Sequence, residues 1–326
     1  MTITAGAFAF IADLVKQMTA INLGPGKEYL VENRLASLAR DAGFRDVAAL
    51  IGRVQLSGDD RLRRQIVEAL TTNETSFFRD RDPFNALRQV IIPDLCRKRV
   101  ATHRITIWSA GCSSGQEPYS IAMTVVDHPL INSEWTVEIL ATDISQEMLE
   151  KAKSARYSQL EVNRGLPAPL LVRHFERCET DWRVVPAVRN LVRFQQLNLA
   201  EDFELPWIDV VFLRNVLIYF DTTTKIEVLR RVRRVLRPDG YLFLGGSETT
   251  LGLDDEFERV MLGSATVYRP RGAGVPEIPT EGAAPIAGPA ARLGIGSRPS
   301  SLAGSPLPGS LPGSSLAGSI NPPGRR

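Results

Sequence analysis

RITIWSAGCSSGQEPYSIA, Arg104 to Ala122, decides how this chain is read. Ile105, Ile107 and Trp108 form a short apolar run that predicts a buried strand. Ala110 to Gly115 is a turn of small residues. Glu117 to Ala122 opens a helix, with Pro118 early in it, where a missing N–H costs nothing. Strand, glycine-containing turn and helix N-terminus form the entrance to a nucleotide-type pocket in a parallel α/β sheet.

Three ligand chemistries could use such a turn, beside the reading of a purely structural tight turn. Dinucleotide binding needs bare backbone N–H groups facing a pyrophosphate. Here Glu117 would repel phosphate, and the Gly-x-Gly-x-x-Gly spacing is absent. A serine nucleophile fits Gly111-Cys112-Ser113-Ser114-Gly115 as Gly-x-Ser-x-Gly. Its base should come late in the chain. Of His103, His128 and His174, only His174 could serve, and it sits in a polar segment. The third chemistry is a cationic ligand without phosphate. S-adenosylmethionine carries an amine and a sulfonium, and a carboxylate beside the turn suits both.

The 326 residues suffice for one large or two ordinary domains, and 44% hydrophobic content supports a core. A net charge of +2 gives no global pointer to nucleic acid. Cys96, Cys112 and Cys178 are scattered with no paired spacing, which suits a reducing cytoplasm and argues against zinc; no metal site is expected. The start, MTITAGAFAFIADLV, lacks a basic leader region and contains Asp13, so it reads as a helix and not a signal peptide. No apolar run approaches the roughly 18 residues of a membrane span.

Residues 1–72 read as a small all-helical domain. Phe8, Ile11, Leu14 or Val15, and Met18 recur at helical spacing. Residues 27–40 resume a helix with Leu30, Leu35 and Leu38 inward and Glu32, Arg34 and Arg40 toward solvent. Asp46 and Asp59 begin two more. Arg61, Arg63 and Arg64 cluster on the last, either as a solvated face or as a docking face for an acidic partner helix. TTNETSFFRDRDPF (71–84) follows, too polar for core and too aromatic for a plain linker; Asn73 could simply turn the chain. A helix then runs from Asp82-Pro83 to about Arg99, with Phe84, Leu87, Val90, Ile91 and Leu95 as its stripe.

TTNETSFFRD together with IWSAGCSSGQEPYSIAM closely resembles the CheR family of chemotaxis receptor methyltransferases. ILATDIS (139–145), VRFQQLNL (192–199), DVVFLRNVLIYF (209–220) and LRPDGYLFLGGSE (236–248) extend the resemblance, in order, to about residue 270. It implies an α/β fold: a small N-terminal helical domain, then a Rossmann-like class I S-adenosylmethionine-dependent methyltransferase domain with a small inserted subdomain. Residues 73–99 would be a linker and helix contributing to the active site, 100–270 the methyltransferase domain and 155–190 the insert.

The residues themselves read consistently with this. Val137–Ala141 is a strand ending at Asp143, placed either to hold ribose hydroxyls or to cap the next helix. Leu191–Gln195, Asp209–Leu213 and Tyr241–Leu244 are further strands, and Thr222–Leu236 is a helix stopped by Pro238 and Gly240. Phe257–Met261 and Ala265–Tyr268 form a closing antiparallel pair. The insert is short around FERCETDWRVV and lacks the glycine-rich loop with which some family members grip a receptor's C-terminal pentapeptide, so it resembles the pentapeptide-independent type. KSARYS also lacks the family's usual glycine before the tyrosine. From Arg271 the composition shifts to ten prolines and eleven glycines in 56 residues, with SSLAGS at 300–305 and 314–319, and 271–326 reads as a flexible tail.

The resemblance implies transfer of a methyl group from S-adenosylmethionine to receptor glutamates, leaving S-adenosylhomocysteine. It assigns Arg79 and Tyr219 to catalysis and Asn73, Thr75, Arg79, Glu117, Asp143, Asn198, Leu199, Arg214 and Asn215 to the cofactor. The partner would be the helices of a methyl-accepting chemotaxis receptor, with no nucleic acid and no membrane span, and the protein a cytoplasmic monomer. A glutamate nucleophile is already ionised at neutral pH, which fits a site without a catalytic His, Cys or metal cluster. Two alternatives stay open: an S-adenosylmethionine-binding signalling protein without catalysis, and a serine hydrolase using Ser113.

Overall fold

Four helices lead the chain: α1 (Ala5–Thr19), α2 (Glu28–Asp41), α3 (Val47–Ser57) and α4 (Asp60–Leu70). The computed structural model describes residues 3–274. Thr4, Asp46 and Asp59 cap α1, α3 and α4 by accepting backbone N–H groups of the first turn. Each helix gives one apolar stripe to a shared core. In α2 that stripe is Val31, Leu35 and Ala39, with Leu30 and Leu38 only half-buried. Positions four apart line one face, so Val31 rather than Leu30 is in phase with Leu35.

Arg34 does not face solvent as expected. Its Nη1 donates to the carbonyls of Leu70 and Thr71, both at 2.8 Å, and Nη2 donates to Thr72 Oγ1 at 3.2 Å. A helix leaves its last carbonyls unpaired, and α4 ends within reach of a guanidinium able to take two of them.

Asp82 to Lys98 is one helical run made of α5 (Asp82–Ala86), a single π turn at Leu87–Ile91 and α6 (Ile92–Lys98). The Ile92 N–H reaches back to the Leu87 carbonyl. Pro93 follows at once and has no N–H to continue the regular ladder.

The α/β domain runs β1 (Arg104–Ala110), α7 (Gln116–Val126), β2 (Thr136–Asp143) and α8 (Gln146–Ser154). The insert follows: β3 (Arg156–Tyr157), α9 (Gln159–Asn163), α10 (Ala168–His174), β4 (Phe175–Cys178), β5 (Asp181–Val184) and α11 (Pro186–Arg189). The chain closes with β6 (Val192–Gln196), β7 (Ile208–Leu213), α12 (Thr222–Val235), β8 (Leu236–Leu244), β9 (Phe257–Leu262) and β10 (Ala265–Pro270). The main sheet has the order β6-β2-β1-β7-β8-β10-β9. β6 to β8 run parallel, and β10 and β9 form the antiparallel edge. Chain order reverses between β1 and β7, and open α/β sheets bind ligands at the carboxyl ends beside such a switch.

β7 is buried at every position, as its run of apolar residues demands of a central parallel strand. Its one charge, Asp209, accepts from the Thr106 N–H and from Arg99 Nε, each at 2.8 Å, at the amino end of the sheet. Arg99 also forks onto Asp239. A charge this buried persists because it is paired and hydrogen-bonded.

β8 starts at Leu236, five residues earlier than the sequence suggests. Leu236 pairs with Ile208, and the ladder then shifts register before Tyr241 meets Val210. Pro238 and Gly240 therefore break a strand rather than end the helix. The insert carries its own three-stranded sheet, β3-β5-β4. The β4–β5 hairpin turns through Glu179 and Thr180, with Glu179 in the left-handed region at φ 57°. Ala155 sits at φ 52° as the C-cap of α8, filling a left-handed position with an alanine. The tail expected beyond Arg271 falls almost wholly on residues 275–326, outside the described residues.

Candidate functional site

A cavity opens at the carboxyl end of β1. Asn73, Thr75, Arg79, Glu117, Asp143, Asn198, Leu199, Arg214, Asn215 and Tyr219 all line it. Six stretches of chain converge there. Thr19 and Ile21 come from the helical domain, and residues 71–79 from the segment joining the domains. The turn after β1, the end of β2, the loop after β6 and the loop after β7 supply the rest.

The turn after β1 is held by Asp143. Its Oδ2 accepts the Ser113 N–H at 2.7 Å and its Oδ1 accepts the Ser145 N–H at 2.9 Å. Ser145, not Asp143, is the N-cap of α8, accepting from the Met148 N–H. Burial pushes the Asp143 carboxyl above its ordinary value, against the backbone N–H groups that favour its charge. Gly111 stands at φ 76°, where a Cβ would lie 2.5 Å from Val216 Cγ2, so no side chain fits between the turn and the β7 loop.

Glu117 sits in the first turn of α7. Its Oε1 accepts from Ser109 Oγ at 2.8 Å and its Oε2 pairs with Arg214 Nη1 at 3.0 Å. Arg214 is buried, stacks against Phe84, and also holds Asp80 Oδ2 at 2.6 Å. The Arg214 Nε finds no partner among the described residues. Asn215 is left-handed at φ 60°, and Glu248 fixes it there. That carboxylate accepts the N–H groups of Asn215 (2.8 Å), Gly245 (2.6 Å) and Ile218 (3.2 Å). Arg79 Nη1 reaches the Glu74 carbonyl at 3.3 Å.

Asn198 lines the cavity, and its side chain is also tied to its surroundings. Its Nδ2 donates to the Met18 carbonyl (3.1 Å) and to Glu201 Oε1 (2.8 Å), and its Oδ1 accepts the Ala200 N–H. It fastens the helical domain to the sheet. The Asn22 N–H does the same against the Tyr219 carbonyl at 2.9 Å, and Ile21 makes a β-bridge to Phe220.

The geometry removes the serine nucleophile. Ser113 Oγ donates to the Asn73 carbonyl at 2.8 Å, and no histidine lines the cavity. His174 is engaged by Asp127 at 3.1 Å and His128 by the Arg88 carbonyl at 2.9 Å. Cys112 is buried, and burial pushes its thiol well up, so it is no thiolate at neutral pH.

The donor set suits a cationic nucleoside. Two carboxylates, Glu117 and Asp143, face the cavity where a pyrophosphate site would offer bare N–H groups. The all-α region, residues 6–71, matches the family model described as the CheR methyltransferase all-alpha domain. Residues 73–265 match the one described as the CheR methyltransferase SAM binding domain. This chain belongs to the CheR methyltransferase family. S-adenosylmethionine is accordingly the cofactor of this CheR-family chain. It is 40% identical over 260 residues to "Chemotaxis protein methyltransferase Cher2" of Pseudomonas putida, covering 78% of this chain and 94% of that one. It is 40% identical over 267 residues to "Chemotaxis protein methyltransferase 1" of Pseudomonas aeruginosa, covering 80% and 97%. The Escherichia coli "Chemotaxis protein methyltransferase" is 37% identical over 267 residues, covering 80% and 89%.

Sequence reasoning missed Thr19, Ile21, Val216, Phe220 and Glu248. Thr19 and Ile21 reach the cavity only through the contact of the helical domain with the sheet, while Val216 and Phe220 come with the loop after β7. Glu248 stood in plain view at the end of LRPDGYLFLGGSE, yet nothing in its spacing says that it faces the loop after β7.

Proposed function

We propose that this chain esterifies glutamate side chains of methyl-accepting chemotaxis receptors with the methyl group of S-adenosylmethionine, in the cytoplasm. The observation carrying this reading is that Arg79 and Tyr219 share one cavity with the carboxylate pair Glu117 and Asp143. Glu117 would hold the amine of the donor's methionine end, and Asp143 the ribose hydroxyls. S-adenosylmethionine supplies a methyl on a sulfonium, which the acceptor carboxylate displaces to give an ester and a neutral thioether. The chain's own work is alignment and exclusion of water, since the nucleophile needs no base. Arg79 orients the incoming carboxylate, Arg214 balances the Glu117 charge, and Tyr219 walls the reacting end.

Receptor docking would use Arg61 and Arg64, which are exposed, while Arg63 pairs loosely with Asp60 at 3.8 Å. The two-residue β4–β5 turn supports a type that works without a pentapeptide tether. Incubation with labelled S-adenosylmethionine and the native receptor should give base-labile methyl incorporation, at a rate nearly unchanged when the receptor's extreme C-terminus is deleted. Donor binding with no base-labile label on any receptor would instead favour a signalling protein without catalysis. Loss of methylation on the C-terminal deletion would overturn the tether-free reading alone.

A further inference from the structure

The insert contributes no residue to the cavity, yet it touches two of the segments that form its walls. Tyr157, fully buried, donates its hydroxyl to the Ser114 carbonyl at 2.7 Å, in the turn between β1 and α7. Its ring meets Phe77 edge-on, with centroids 5.0 Å apart, and Phe175 of β4 closes on the same Phe77 at 5.6 Å. The Phe77 N–H donates to the Arg164 carbonyl at 3.1 Å. Gly165, at φ 91°, lies so close that a Cβ there would stand 2.0 Å from the Phe77 carbonyl oxygen. Phe77 belongs to the 73–79 segment, whose Asn73, Thr75 and Arg79 line the cavity. On its other side, the same segment is tied to the turn and to α7 by Ser113 Oγ on the Asn73 carbonyl (2.8 Å) and by the Phe78 N–H on Ser120 Oγ (3.0 Å).

We propose that the insert is a brace for the cofactor cavity: Tyr157 and Gly165 are positioning residues that fix the 73–79 segment against the 111–117 turn. Tyr157 grips the turn by its hydroxyl and Phe77 by its ring, so one side chain sets the spacing of two cavity walls. Gly165 allows the approach that the Phe77–Arg164 hydrogen bond requires. The Glu74–Arg164 ion pair at 2.9 Å joins the same two segments but is solvent-exposed and contributes little. The insert thus has a role in the reaction whether or not it binds a receptor. A ligand that shifted the insert would alter cofactor affinity, and the cofactor would alter affinity for that ligand equally.

The inference rests on the cavity as the donor site and not on the identity of the acceptor, so its test uses S-adenosylhomocysteine with the full chain. Tyr157→Phe keeps the ring and removes one buried hydrogen bond. It should bind S-adenosylhomocysteine about fivefold more weakly by calorimetry at a temperature far below its melting point. Amide hydrogen exchange should rise in residues 73–79 and 111–117. Gly165→Ala should weaken S-adenosylhomocysteine binding about tenfold, as expected when a wall of the site moves. Val172→Ala, on an exposed position of α10, should change neither. Tyr157→Phe decides the matter: a folded variant with lower melting temperature but unchanged affinity and exchange shows a role in stability alone and overturns the proposal, whatever Gly165→Ala does.

Discussion

Asp143 is held by the scaffold and faces the cavity at the same time. The sequence offers two readings of it, ribose acceptor or helix cap, and the cap turns out to be Ser145. What no local pattern could show is that Asp143 also fixes Ser113 across the turn. The two roles separate by mutation. Ser145→Ala should cost about 1 kcal/mol of stability and spare S-adenosylhomocysteine affinity. Asp143→Ala should weaken that affinity by about 1–3 kcal/mol, read by calorimetry. The pH dependence follows from the raised carboxyl. Hydroxyls donate to the ionised form, so affinity is full above the folded-state pKa and falls as pH drops through it. Because burial lifts that value, the loss should centre above the ordinary 3.8. For stability the sign is opposite: ionising a buried carboxyl costs the fold above its unfolded pKa, and protonation relieves that cost. A loss centred below 3.8 would show that the hydrogen bonds from Ser113 and Ser145 outweigh burial.

Helices and strands were the most legible level, because burial on one face leaves a period in the residues. The stripe of Phe84, Leu87, Val90, Ile91 and Leu95 is buried as read, even though a π turn interrupts the helix that carries it. One extra residue in a ladder leaves no mark in a spacing of three and four. Polar residues were harder, since a charge on a helix face looks the same whether it meets water or a neighbour's carbonyls. Arg34 is the instance: read as solvent-facing, it instead closes the end of α4 at the point where the chain enters the cavity wall. Arg34→Ala should therefore lower stability by about 1–3 kcal/mol and weaken S-adenosylhomocysteine binding several-fold, because Thr71 and Thr72 line the cavity. Thermal melts and calorimetry check both, and an affinity equal to wild type would return Arg34 to the surface.

At the scale of the whole molecule, charge that remains exposed is free to steer a partner. Arg61 and Arg64 are in that position. Receptor methylation should fall as salt rises, since exposed charges are screened within about 10 Å at 0.1 M, while cofactor affinity changes little. Arg64→Glu should raise the apparent KM for receptor and leave S-adenosylhomocysteine binding intact, and a salt-independent rate would move the docking surface elsewhere. The contact between the helical domain and the sheet, by contrast, was illegible, because it depends on carbonyls at Met18 and Tyr219 whose identity no side chain records. That contact has a consequence in time. The cavity draws on residues from Thr19 to Phe220, so nearly all of its pairings are distant in the chain. Such contacts form late, after the cost of closing long loops has been met. During synthesis the nascent chain holds no pocket until residue 220 has left the ribosome. The cavity therefore takes shape only after about two-thirds of the 326 residues have been made.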